Sequence, residues 1–137
     1  MHKPIRIGEV YTELIHFSKA DVEKFAEASG DRNPLHTDPE YCLQTRFGRP
    51  IVHGALLFSH FSRVFGTIWP GKGSVYVSKT IKFVAPVFVG DSANLEIKCV
   101  EVNKEKKKAT FECSLIDANS KLACAGTAVL WLPEFDL

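Results

Sequence analysis

The sequence predicts an α+β fold in which an antiparallel sheet wraps around one long central helix. Three observations carry that reading. The chain has 137 residues, one domain's worth of material, so residues 1–137 are read as a single domain. A wide apolar arc runs from about Ile51 to Ile68, through Leu57, Phe61, Val64, Phe65 and Ile68 with Ala55 and Leu56 beside them. An arc that wide implies a helix buried on most of its surface. From Val75 onward the pattern switches to period two and stays there, the signature of half-buried strands.

Glu9 to Phe17 alternates and reads as a first strand. Ser18 is a helix N-cap with Asp21 placed to complete a capping-box-like arrangement. Val22, Phe25, Ala26 and Ser29 share one helical face, and Gly30 ends the helix. Asp31 to His36 cannot continue it, because Pro34 bars helix for Asn33. Asp38-Pro39 opens a second short helix, with Asp as cap and Pro at the first helical position. The central helix stops at Pro70-Gly71-Lys72-Gly73. Four strand-like runs come next: Val75 to Val87, Ser92 to Val102, Lys108 to Asp117 and Lys121 to Leu132. Turn-like segments join the later runs, and the lysines from Lys104 to Lys108 read as a solvated hairpin tip. A sheet of this kind leaves an edge strand open, which a second copy of the chain would cover, so a homodimer is expected.

Composition narrows the function. Apolar residues make up 45% and charged residues 24% of the chain, and 17 basic against 16 acidic residues leave a net charge of +1. That balance lends no support to a nucleic-acid or membrane-surface partner, each of which favours a concentrated basic face. The apolar stretch from Ile51 to Trp69 carries His53, Ser59, His60, Ser62 and Arg63, too many polar groups for a membrane span. The first ten residues have no apolar signal region. Four cysteines without CxxC spacing read as reduced thiols, so a cytoplasmic location is expected. No set of His, Asp, Glu or Cys has metal-ligand spacing and no Gly-rich phosphate loop occurs; neither metal nor cofactor is expected.

Asp31, Asn33, Pro34 and His36 form the densest polar constellation. They sit between two helices on a loop stiffened by proline, a setting where reactive groups are often held. Asp31 and His36 can point at one spot across the turn. There they can hold a water, one group taking its proton while the other delivers a proton to substrate. Imidazole titrates near neutrality and suits the base role. A helix C-cap and a turn histidine explain the same spacing equally well.

Resemblance separates the two. Phe25 through His36, F-A-E-A-S-G-D-R-N-P-L-H, resembles the hydratase motif of the MaoC-like, (R)-specific enoyl-CoA hydratases. Arg49-Pro50-Ile51-Val52-His53-Gly54-Ala55-Leu56-Leu57 resembles the start of that family's central helix. The turn at Pro70 to Ser74 and the hairpin at Pro86 to Asp91 also match, so the resemblance spans nearly the whole chain. Ala28, where a larger aliphatic is usual, and Cys42, where Ala or Ser is usual, depart from the pattern beside the motif and not within it.

The resemblance implies a homodimeric hot-dog fold and reversible syn addition of water to a trans-2-enoyl-CoA. It makes Asp31 and His36 the catalytic dyad, with His36 as base toward water and Asp31 as proton donor to the α-carbon. Asn33 braces the loop. Gly54 lies at the amino end of the central helix, where free N–H groups favour negative charge and can form an oxyanion hole; a small residue for helix packing is the alternative. Ser62 supports the site by resemblance, or bonds back to a helical carbonyl. His53 reads as a structural cap beside the substrate site. Phe65, one turn beyond Ser62, is placed to close an acyl tunnel and to favour short chains, on the order of four to six carbons. The rivals are a dehydratase acting on acyl-carrier-protein substrates, a hot-dog thioesterase, and a non-catalytic acyl-thioester binding module.

Overall fold

The computed structural model describes residues 4–137. Residues with alternating apolar side chains become five strands: β1 (Val10–His16), β2 (Val75–Phe83), β3 (Ser92–Asn103), β4 (Lys108–Asp117) and β5 (Leu122–Trp131). They form one antiparallel sheet in the order β1-β3-β4-β5-β2. The period-two pattern fixes which face is buried. Ala93, Leu95, Ile97 and Cys99 of β3 and Ala109, Phe111, Cys113 and Leu115 of β4 all turn inward, and their registers place Leu95 opposite Leu115 and Cys99 opposite Phe111. A one-residue slip would turn both rows to water.

The helices are α1 (Lys19–Ser29), α2 (Pro34–Thr37), α3 (Pro39–Leu43) and α4 (Gly54–Thr67). Leu56, Leu57, Phe61, Val64 and Phe65 of α4 are buried in the same apolar cluster as the inner faces of β3, β4 and β5. Phe65 stands 5.2 Å from Phe111 and 5.6 Å from Tyr76, centroid to centroid. This is the sheet around a central helix that the sequence predicts. Arg63 ties the helix to β1 through Glu13 at 2.7 Å.

Several boundaries move, each for a physical reason. The central helix begins at Gly54 and not at Ile51, because residues 50–52 are claimed by an extended pairing. Ile51 bridges Phe88, the Val52 N–H donates to Val87 (2.8 Å) and the Val89 N–H donates to Pro50 (3.0 Å). The strand from Val75 ends at Phe83 and not at Val87. There the N–H groups of Val84 and Ala85 converge on the one Ala123 carbonyl, at 2.8 and 3.1 Å, and Pro86 has no N–H to continue the ladder. Past Asp31 the chain forms a short helix, α2, that the sequence pattern does not predict. Pro34 keeps Asn33 out of helical conformation yet takes the first helical position itself, with the Asn33 side chain capping the Leu35 N–H at 3.1 Å.

β2 lies at one edge of the sheet and, among the described residues, pairs with β5 alone. Val75 and Val77 on it, and Phe83 and Val84 at its end, are exposed apolar residues.

Candidate active site

The loop between α1 and α3 is held by its own short side chains. Gly30 closes α1 at φ 78°, a left-handed conformation that glycine adopts without strain. The Ser29 hydroxyl donates to the Phe25 carbonyl (2.6 Å) and accepts the Asp31 N–H (3.1 Å). Asp31 Oδ1 accepts the Asn33 N–H at 3.2 Å, and Asn33 Oδ1 accepts the Leu35 N–H. These Asx turns fix the path from Asp31 to His36. Asp31 and Asn33 remain exposed and His36 is half-buried.

His36 Nδ1 lies 2.7 Å from the Ile51 carbonyl. A carbonyl can only accept, so Nδ1 carries a proton, and in the neutral ring this leaves the lone pair on Nε2. The position of that carbonyl is set by the extended pairing of residues 50–52 with 87–89. Arg49 reinforces the pairing, reaching Asp91 at 3.1 Å and lying 4.0 Å above the Phe88 ring.

Behind His36 lies His53, 1% exposed. Its ring stacks on His36 at 4.0 Å with 31° between planes, and Phe25 covers it at 4.8 Å. Nε2–H donates to the Asp31 main-chain carbonyl at 3.1 Å, while Nδ1 has no partner among the described residues. Burial pushes the His53 pKa down, and the neighbouring His36 adds to the fall, which favours the neutral ring. His53 occupies the N-cap position of α4, where the sequence predicts a structural cap, but its side chain makes no capping bond and faces the loop instead.

Ligand-type atoms of Asp31, His36 and His53 fall within 4.8 Å of one another, a cluster that spacing in sequence does not reveal. One nitrogen of each ring is already engaged, His36 Nδ1 by the Ile51 carbonyl and His53 Nε2 by the Asp31 carbonyl.

A cleft of about 400 Å³ opens at His36, lined also by Arg46, Ile51, Gly54, Leu57 and Phe83. The N–H groups of Gly54, Ala55 and Leu56 head α4 without a backbone partner among the described residues, the first intrahelical bond running from Leu57 N–H to His53. His36 and Gly54 are therefore brought to one cleft; Asp31 does not line it, and its carboxylate lies within 4.8 Å of a His36 ring nitrogen. Ser62 and Phe65 lie elsewhere on α4. Ser62 is exposed and makes no hydrogen bond to a helical carbonyl among the described residues, and Phe65 is buried against Phe111.

The profile of the MaoC like domain matches residues 5–119. This chain belongs to the MaoC-like family. The (R)-specific enoyl-CoA hydratase of Aeromonas caviae is 44% identical to this MaoC-like chain over 129 residues, 94% of the chain and 96% of that protein. The 3-hydroxybutyryl-CoA dehydratase of Methylorubrum extorquens is 35% identical over 125 residues, 90% of the chain and 79% of that protein. The solved structure of the (R)-hydratase from A. caviae aligns with a TM-score of 0.91 at 40% identity, covering 94% of this chain and 98% of that one.

Three contributors to this MaoC-like site have no signal in the sequence. Ile51 acts through its carbonyl, which any residue has. Arg46 meets the cleft from the segment after α3. Phe83 rests on Gly54, so that a Cβ added there would come within 2.7 Å of the ring tip; a contact between residues so far apart in the chain leaves no local pattern.

Proposed function

We propose that this chain is an (R)-specific enoyl-CoA hydratase, adding water reversibly across the double bond of a trans-2-enoyl-CoA. The observation that carries the reading is the shared cleft. His36, with Nδ1 tied to Ile51, faces the same space as the N–H groups at Gly54 that open α4 without a backbone partner among the described residues.

Those groups supply the chemistry. His36 Nε2 takes a proton from water as its oxygen bonds to the β-carbon. Electron density moves through the α-carbon to the thioester oxygen, where the Gly54 N–H and the helix dipole stabilise it, an effect worth about 3 kcal/mol per donor. Asp31 delivers a proton to the α-carbon from the same face. The proton gained by His36 then passes back to Asp31, which restores the pair. Asn33 supports the loop through its cap on α2, and His53 supports it from beneath.

The functional unit in this reading is a homodimer in the cytoplasm. Support comes from the unpaired outer edge of β2, with Val75, Val77 and Val84 exposed, and from the exposed face of α4 that carries Ser62. Pairing of two β2 edges would remove the open ladder. All four cysteines are free and buried, and burial pushes Cys113 up to about 12 and Cys124 up to about 11, which suits thiols that stay reduced. Light scattering after size-exclusion chromatography should give twice the chain mass; a monomeric mass would remove this part of the reading.

The test of the activity is loss of enoyl absorbance with crotonyl-CoA, followed by chiral analysis. Formation of the (R)-3-hydroxy product is the expected result. Release of free CoA without hydration would instead identify a thioesterase. Inertness toward CoA esters with turnover of acyl-carrier-protein esters would identify the carrier-protein dehydratase.

A further inference from the structure

We infer that His53 is a positioning residue for the dyad, holding Asp31 by a hydrogen bond to its main chain and His36 by stacking against its ring; the inference rests on the hydratase reading above. The two contacts act on the two members of the pair at once. Nε2–H fixes the Asp31 carbonyl at 3.1 Å, and the stacked face 4.0 Å away leaves His36 little freedom to rotate about its Cβ. Phe25 packs on the His53 ring at 4.8 Å, so the support is itself held in place. An imidazole only 1% exposed whose Nδ1 has no partner among the described residues is costly for the fold. An apolar ring would fill the same volume without that cost, but could not donate to Asp31. Retaining the polar ring is accounted for by the donor bond it makes. His53 does not line the cleft beside His36 and Gly54, so its contribution passes through the dyad.

The test uses His53→Leu, His53→Phe and His53→Gln in the full chain, with two readouts. The first is kinetic, on crotonyl-CoA. Leucine removes both contacts and should lower kcat by about 10²-fold while KM stays within about threefold, since small misplacements of reacting groups act on the chemical step. Phenylalanine keeps the stack and glutamine keeps an N–H donor, so each should recover about tenfold of that loss. The second readout needs no substrate: imidazole nitrogen NMR in mildly alkaline buffer. In the wild type His36 should show one tautomer, protonated at Nδ1; in His53→Leu it should average between tautomers while His16 and His60 are unchanged. A wild type inactive on every thioester would sink the hydratase reading and leave the spectrum to judge His53. A folded His53→Leu with unchanged kcat, a loss confined to KM, or a His36 signal identical to wild type would overturn the inference.

Discussion

An imidazole acts as a base through the nitrogen that holds a lone pair, and in His36 a carbonyl fifteen residues away makes that choice. The consequence extends to Gly54. Because the Phe83 ring tip lies where a Cβ would stand, 2.7 Å away, Gly54→Ala must displace a ring that is 51% exposed and free to swing. Folding stability should change by less than about 1 kcal/mol, since alanine is a good helix residue. Activity on crotonyl-CoA should fall by about 10²-fold, because the displaced ring and the added methyl keep the acyl group from the N–H donors. Denaturant melts beside kinetics check both halves; an activity within about twofold of wild type would show that close approach at Gly54 is not needed.

At the scale of elements, the site depends on two segments that regular periodicity does not describe. The loop from Asp31 to His36 was legible in part: Gly30 ends α1 as the sequence predicts, whereas the Asx turns at Asp31 and Asn33 and the short helix that Pro34 starts are set by local side-chain bonds that the pattern does not show. The extended piece at residues 50–52 was not legible, since it reads as the apolar lead of α4 until its partner at residues 87–89 is known. Tertiary pairing there overrides a helical pattern. The same limit applies along α4. Phe65 was expected near an acyl tunnel, and it lies beyond Leu57 of the cleft, packed on Tyr76 and Phe111. Phe65→Ala should lower stability by about 3–5 kcal/mol and raise the rate on eight-carbon relative to four-carbon enoyl-CoA, as a chain-length series would show. An unchanged preference would remove Phe65 from the acyl path.

For the whole molecule, the fold was legible almost entirely, because the period-two rows of β3, β4 and β5 and the apolar arc of α4 can bury each other in one way. The cluster of Asp31, His36 and His53 was half legible: the motif supplies the first two, and the third arrives by the stacking of α4's N-terminus beneath the loop. That burial has a pH signature. Burial pushes both His53 and His60 below their ordinary pKa of 6.5. Below about 6.5 the unfolded chain therefore takes up protons that the folded chain resists, and stability is lost as pH falls through that range. Thermal melts should show a falling Tm from about pH 7.5 to about pH 5.5, with a shallower slope in His53→Phe; identical slopes would place the sensitivity elsewhere. The central claim is that Asp31 and His36 act together on water and the enoyl group. Its most direct test is the initial rate of crotonyl-CoA hydration by Asp31→Asn and His36→Ala, each confirmed folded by circular dichroism. Each should lose about 10²–10⁴-fold, and the double variant should lose little more than the worse single one. A folded single variant that keeps half the wild-type rate would contradict the account.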